Sequence, residues 1–309
     1  MTSATISKPG AVRKTAATRP KATRSRGGLL YVLPFFVAFT LFLLWPLVYG
    51  LWMSFTDRDL AAGAEPRVVG LANYAEALTD PMVWTTFGNT VLFTVMTTIP
   101  LVVLALAAAL LVNMGLPGQW VWRMAFFLPY LLASTVVSLF WEWIYNPELG
   151  LINAVLGVFG IEGQAWLQDP DFAMAAIAVA TTWWTLGFNF LLYLAALQNI
   201  PATVYEAAAI DGAGKWRQLF SVTLPLLRNI TMLILVLQVL ASLKVFDQIY
   251  QMTAGGPDDS TRSILMYVYD TGFTGYRLGY ASAISYVFFA IILILSLLQL
   301  RFARRSDQS

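Results

Sequence analysis

The chain has 309 residues, of which 58% are hydrophobic and only 12% charged, with a mean hydropathy of +0.67 and a formal net charge of +2. A water-soluble domain carries about 25% charged residues, so this chain lacks the side chains to face water, and lipid is the solvent that suits it. It has no cysteine and no histidine, which excludes disulfides, Fe–S clusters, thiolate zinc sites, cysteine nucleophiles, histidine metal centres and Ser-His-Asp hydrolysis.

Residues 1–28 are rich in Ser, Thr, Ala, Lys and Arg and show no apolar period. They read as a disordered basic tail drawn to anionic lipid. Six stretches then reach the roughly 20 apolar residues that cross a bilayer core of about 30 Å. They are 29–55, 87–112, 122–145, 172–197, 230–249 and 280–300. Pro34, Pro46, Pro100 and Pro129 fall inside them. Neighbouring helices can satisfy the backbone groups that a proline frees, so these read as kinks or ends within spans. The first stretch is longer than the apolar core of a signal peptide, about 7–15 residues, and lacks a small-x-small cleavage site. It reads as an uncleaved helix. The expected fold is all-α: a six-helix transmembrane domain over 29–303, with a short tail at 304–309.

Lys8, Arg13, Lys14, Arg19, Lys21, Arg24 and Arg26 precede the first span. Positive residues gather on the cytoplasmic side. With the tail inside, six crossings bring Arg123, then Lys215, Arg217 and Arg228, then Arg301, Arg304 and Arg305 to that side. The other side receives Arg58, Arg67, Arg262 and Arg277 and most carboxylates, among them Asp57, Asp80, Glu148, Asp169 and Asp258. Both termini are expected in the cytoplasm.

The segment between spans four and five, 200–228, is long for a helix connection, which is usually about 2–8 residues. Pro201 and Thr203 suit a helix start, and good helix formers follow. Gly212 and Gly214 break that helix, and a second amphipathic stretch from Lys215 ends at Leu224-Pro225. The expectation is two short helices around a glycine turn.

Glu206-Ala207-Ala208, Gly212 and Leu224-Pro225 resemble, at their fixed gaps, the EAA loop E-A-A-x3-G-x9-I-x-L-P of ABC importer permeases, with Val222 where Ile is usual. Gly70-Leu71-x-Asn73-Tyr74, Asn89-Thr90, Phe127-Leu128-Pro129-Tyr130, Trp141 and Gly150-Leu151-Ile152-Asn153 are similar to the six-helix, maltose-type sugar permeases. So is Phe246-Asp247-x-Ile249-Tyr250-x-Met252-Thr253-x-Gly255-Gly256-Pro257, with Met252 where Leu is commoner. The resemblance implies a type I importer permease in a bacterial inner membrane, whose EAA loop is a coupling helix docked on an ATPase subunit. Its expected partners are ATPase subunits that hold ATP and Mg, a second and distinct permease subunit, an extracytoplasmic solute-binding protein and a di- or oligosaccharide, with no nucleic acid. The chain itself is expected to bind no cofactor and to catalyse nothing, since it has no GxxxxGK[ST] phosphate loop.

Within that reading, Ala207 and Ala208 allow close approach to a partner, Glu206 offers it a carboxylate, Gly212 permits the turn, and Asp211 is placed to cap or brace the second short helix. Leu224 and Pro225 close the loop. Polar residues inside spans suggest a substrate path. Lys244, Asp247 and Gln248 lie in the fifth span, where Lys244 and Asp247 would share a helix face. Trp183, Trp184, Gly187, Asn189 and Tyr193 lie in the fourth: aromatic faces and an amide to suit a polyol, with Gly187 to admit a bend or a ligand. The same loop occurs in glycerol phosphate carriers, so a phosphorylated solute is an alternative. A secondary transporter would show inverted repeats and more buried ionisable groups. A membrane enzyme would need paired carboxylates, and Glu142 stands alone in the third span.

Overall fold

The structure is a computed structural model that describes residues 27–306, apart from 60, 62, 64 and 116. The basic tail read at 1–26 lies outside the described residues. The described residues divide between Val48 and Tyr49 into two units. They are helical, and the single β-bridge among them, Thr56 to Val68, closes a loop.

The first unit holds α1 (Gly27–Phe39), a π-helical turn (Thr40–Leu44) and the start of α2 (Trp45–Met53). Pro46 accounts for the turn. It has no N–H to donate, and its ring presses on the carbonyl four residues back. One extra residue in the turn relieves the clash. The Trp45 N–H accordingly reaches back five residues to the Thr40 carbonyl.

The second unit continues from α2. It contains α3 (Ala72–Thr79), α4 (Pro81–Asn113), α5 (Gln119–Phe127), α6 (Ser134–Ile144), α7 (Leu151–Val158) and α8 (Pro170–Gln198). There follow α9 (Ala202–Ile210), α10 (Lys215–Gln218), α11 (Leu224–Leu226), α12 (Arg228–Leu243), α13 (Asp247–Met252), α14 (Ile264–Tyr269) and α15 (Leu278–Ser306). Helices α4 and α8 form its spine. Phe93 packs with Ala176 and Ile177 at one end, and Ala109 and Val112 pack with Phe190, Leu194 and Leu197 at the other. The buried face of α4 runs Thr90, Thr94, Thr97, Leu101, Ala105, Ala108, Val112, a three-four spacing that keeps one seam turned inward. Small residues let the backbones come close. The Thr90, Thr94 and Thr97 hydroxyls each donate to the carbonyl four residues back at 2.8 Å, so they bring no unpaired polar group into the seam.

Four helices are long and apolar enough to cross a bilayer unaided: Tyr31–Met53, Pro81–Asn113, Pro170–Gln198 and Leu278–Gln299. Two further bent pairs are apolar enough to cross together, which makes four to six crossings among the described residues. The expected third helix is broken: α5, a 3-10 turn at Leu128–Leu131 and α6 bend by 102°. Pro129 sits in the turn and Leu132 is extended, so the proline marks a true corner. The expected fifth helix also differs. It begins earlier, as Lys215–Leu226 joined to α12 at a 61° bend, and α12 stops at Leu243, short of 249.

Lys244 caps α12 and Phe246 is non-helical, so α13 starts on a new axis. The Val245 carbonyl is taken by the Ser263 hydroxyl at 2.9 Å instead of by a continuing helix. Lys244 and Asp247 therefore do not share a helix face, and no ion pair joins them among the described residues. Gly187 also differs from expectation. A Cβ there would lie 2.5 Å from the Phe126 carbonyl and 2.7 Å from the Phe127 Cα. Its bareness serves the close crossing of α5 on an unbroken α8, with no room for a ligand. Finally, α15 runs on to Ser306, past the expected end of the domain at 303.

Three asparagines hold the non-helical segments at the end where α4 and α8 begin, called here the Asp80 end. Asn73 donates to the carbonyls of Ser54 and Thr56 at 2.9 and 2.8 Å. Asn89 donates to those of Asp259 and Arg262 at 2.8 and 3.2 Å. Asn153 donates to Pro147 O and Gln164 O, and its Oδ1 accepts from Gln164 N and Trp166 Nε1, all within 3.1 Å. Asp80 is the N-cap of α4, accepting from Met82 N at 2.8 Å, which with Pro81 at the first position starts the helix six residues before 87. Its other oxygen accepts from the Tyr267 and Tyr280 hydroxyls at 2.6 and 2.7 Å. Burial alone would raise the Asp80 pKa. The two hydroxyls and the backbone N–H groups outweigh it and hold the carboxyl below its ordinary value. Burial, and then the bond to Asp80, push Tyr267 up to about 12.

Asn153→Ala is expected to lower stability by roughly 2–3 kcal/mol, the cost of orphaning several partly buried groups, seen as a lower Tm of the purified protein in detergent. A group whose folded pKa is depressed stabilises above the ordinary carboxylate range and loses that contribution as pH falls through the folded value. Asp80→Asn should therefore lower Tm at pH 7, and the gap to wild type should close as both are titrated below pH 4. A gap independent of pH would contradict the assignment.

Candidate translocation cavity and coupling loop

The opposite end of the unit, the Glu206 end, carries the loop between α8 and α12. Helix α9 begins at Pro201 and has no buried residue. Glu206, Ala207 and Ile210 face outward, with Ile210 87% exposed. The helix stops in two reciprocal bonds: Gly212 N–H to Ala209 O at 3.0 Å and Ala213 N–H to Ala208 O at 2.9 Å. This is a Schellman closure, and it requires a left-handed residue after the C-cap. Gly212 supplies it at φ +77°. Asp211 is the C-cap of α9 and does not cap the next helix; Gly214 holds that position. The Gln218 amide braces the turn by donating to Ala213 O at 3.0 Å. The Tyr205 and Thr223 hydroxyls, 3.1 Å apart, tie α9 to the returning segment.

That segment repeats the pattern of the first unit. A π-helical turn, Leu219–Thr223, stands immediately before Leu224-Pro225, and the Leu224 N–H reaches Leu219 O. Trp216 and Phe220 stack on its outer face with centroids 6.2 Å apart and are 76% and 62% exposed. Ile210, Trp216 and Phe220 thus give the loop an apolar surface that the motif spacing does not mention. Four apart, the two rings share a helix face, and that spacing was the available signal.

Between α8, α12 and the α12–α13 break lies a cavity of about 290 Å³. Five residues singled out from sequence line it: Trp184, Asn189, Lys244, Asp247 and Gln248. Tyr130, Phe188, Gln238 and Ser242 join them. Tyr130 and Phe188 stack at 5.5 Å, and Trp184 Nε1 donates to Leu132 O at 3.1 Å, so the corner of the third span is fastened to α8 at the cavity wall. Lys244 and Asp247 present their charges at the α12–α13 break, and neither forms an ion pair among the described residues. The other three candidates lie elsewhere. Trp183 stacks on Phe140 at 5.9 Å and lines a separate apolar groove of about 870 Å³. Tyr193 is fully buried and donates to Thr231 Oγ1 at 3.2 Å, joining α8 to α12. Gly187 is a packing residue.

A directed chain of buried hydrogen bonds crosses the cavity floor. Asn189 Nδ2 donates to Gln238 Oε1 at 3.1 Å, and Gln238 Nε2 donates to Ser242 Oγ at 3.0 Å. Ser242 Oγ lies 2.9 Å from Thr97 Oγ1, which itself donates to Phe93 O. The chain fixes α8, α12 and α4 to one another, and it combines polar specificity with aromatic faces. Gln238 and Ser242 stand out in the sequence as polar residues of the fifth span. Thr97 was legible only as one step of the threonine seam.

The family described as binding-protein-dependent transport system inner membrane component matches residues 84–308. The chain is 36% identical to the sulfoquinovosyl glycerol transport system permease protein of Agrobacterium fabrum, over 90% of this chain and 91% of that one. It is 34% identical to the trehalose/maltose transport system permease protein of Thermococcus litoralis, over 92% and 96% of the two chains. Its fold matches a chain in the crystal structure of a bacterial ABC transporter that imports the acidic polysaccharide alginate, with a TM-score of 0.80, 24% identity, and 91% and 96% coverage. The several apolar crossings agree with these likenesses, and the chain belongs to the multi-pass inner-membrane permeases of binding-protein-dependent ABC import systems.

Proposed function

We propose that the chain forms half of the translocation pathway of a sugar importer, with the 290 Å³ cavity as part of the path and α9 as the element that receives ATP-driven motion. One observation carries this reading. The loop with the EAA spacing continues at one end into α8 and at the other into α12, the two helices whose facing sides hold the Asn189–Gln238–Ser242 chain. A push on α9 moves both walls of the cavity. The exposed faces of Glu206, Ala207 and Ile210 suit docking on a separate ATPase subunit that holds ATP and Mg. A cavity open on one side suits completion by a second, similar permease subunit. Aromatic faces with amides and a hydroxyl suit a polyol ring, in keeping with the sugar-based solutes in the names of two relatives, one of them carrying a sulfonate. The charge asymmetry of the loops supports termini and EAA loop in the cytoplasm of a bacterial cell, with the Asp80 end facing an extracytoplasmic solute-binding protein.

Two outcomes test it. Glu206→Lys and Gly212→Pro should abolish ATP-dependent solute uptake by the reconstituted importer while insertion and expression stay normal. Gly212→Pro forces φ near −65° where the turn needs +77°. Wild-type uptake in both would refute the coupling role. Asn189→Ala orphans Gln238 Oε1 and should cut uptake about tenfold, the effect of one buried polar contact in a site built around it, with subunit assembly intact. Uptake equal to wild type across the transported sugars would place the path elsewhere.

A further inference from the structure

Four rings leave the cavity in a row toward the Asp80 end. Phe246 lines the cavity. Tyr250 stacks on it with centroids 5.3 Å apart and planes 17° apart. Tyr269 meets Tyr250 at 5.6 Å, edge to face, and Phe246 at 5.4 Å. Phe273 follows Tyr269 at 5.4 Å. Tyr269 and Phe273, four apart, lie along α14 and the π-helical turn after it, and Phe246, at the non-helical N-cap of α13, lies against Tyr250. These rings are not sealed in a core: Tyr250 is 45% exposed and Phe273 61% exposed. The row begins at the cavity wall and ends at the surface, beside loops pinned by Asn89.

We propose that Phe246, Tyr250, Tyr269 and Phe273 form a stacking track that takes pyranose rings from the Asp80 surface and passes them to the cavity. The inference rests on the sugar-import reading above. An aromatic face carries negative charge density and attracts the weakly positive C–H face of a sugar ring; the Tyr250 and Tyr269 hydroxyls bond each other, so it is the rings that would meet the sugar. The rings cover part of one another, and the outer surfaces of Tyr250 and Phe273 stay open, so a sugar would step between exposed ring surfaces and no single ring would have to bind tightly. A solute without a ring gains nothing from the track.

The test uses the complete importer, with its ATPase, second permease and binding protein, in proteoliposomes. Initial uptake is measured for labelled trehalose, maltose, maltotriose and glycerol 3-phosphate. Tyr250→Leu and Tyr269→Leu keep apolar bulk without a ring face; Tyr250→Phe and Tyr269→Phe keep the face. The expected result is about tenfold slower sugar uptake in the leucine variants, a loss of about 1.4 kcal/mol at the transition state, and near-normal uptake in the phenylalanine variants. Unchanged leucine variants would overturn the track and leave the sugar-import reading intact. No sugar uptake by wild type, or uptake of glycerol 3-phosphate alone, would overturn both. Leucine variants that shed the second permease on purification would show the rings to be a subunit contact, which also overturns the proposal; Phe273→Leu, at the exposed end, repeats the measurement with least risk to assembly.

Discussion

A chain in lipid has to satisfy its backbone N–H and C=O groups from its own resources, because no water is at hand to do so. Helices achieve this by themselves. Among the described residues, side-chain carboxamides join several of the segments that are not helix. Asn73, Asn89 and Asn153 hold the segments between the helices at the Asp80 end, and Asn189 with Gln238 performs the same service between helices. A carboxamide carries two donors and an acceptor on one rigid plane, so it can hold two strands of backbone at once and stay uncharged. Lys or Asp in the same places would bring an ion into low dielectric at a cost of several kcal/mol.

Proline sets the second theme. Pro46 and Pro225 are each preceded by a π-helical turn, and Pro129 sits inside a 3-10 turn that becomes a corner. The difference lies in what surrounds the freed carbonyls. Before Pro46 and Pro225 the helix can absorb one residue and carry on. At Pro129 the following residues are extended, and the Leu132 carbonyl finds the Trp184 indole on α8. That bond anchors the corner where the cavity needs a wall, so a helix-breaking residue becomes part of the site.

Hydropathy was enough to find the apolar segments, four of which are unbroken helices, and the gaps among Glu206, Gly212 and Pro225 were enough to place the exposed loop, because both depend on local chain properties. The breaks were harder to see. Nothing near Lys244 in the sequence says that α12 ends there; the ending depends on Ser263, 18 residues further along the chain, capturing the Val245 carbonyl. Gly187 looked like a flexible or ligand-admitting position because its partner, the Phe126 backbone, is some 60 residues away in sequence and close only after folding. Trp183 and Trp184 are adjacent and alike in sequence, yet a helical step of about 100° sends one to an apolar groove and the other to the cavity. Five of the eight candidate path residues share the cavity, and the helical phase decides which.

The clamps are unevenly shared between the two ends. At the Asp80 end, asparagines, the Asp80–Tyr267–Tyr280 cluster and the Arg277–Glu76 ion pair at 2.8 Å cross-link segments far apart in the chain. At the Glu206 end, the described side-chain bonds of the loop join near neighbours in the chain: Tyr205 with Thr223, Gln218 to Ala213 O and Thr223 to Gln218 O. In mechanical terms one end is stiff and the other compliant. In the coupling proposed above, a push on α9 reaches α8 and α12 directly, while the far loops stay fixed to the helices they join. On that proposal α8 and α12 act as levers, and asparagines build the fulcrum.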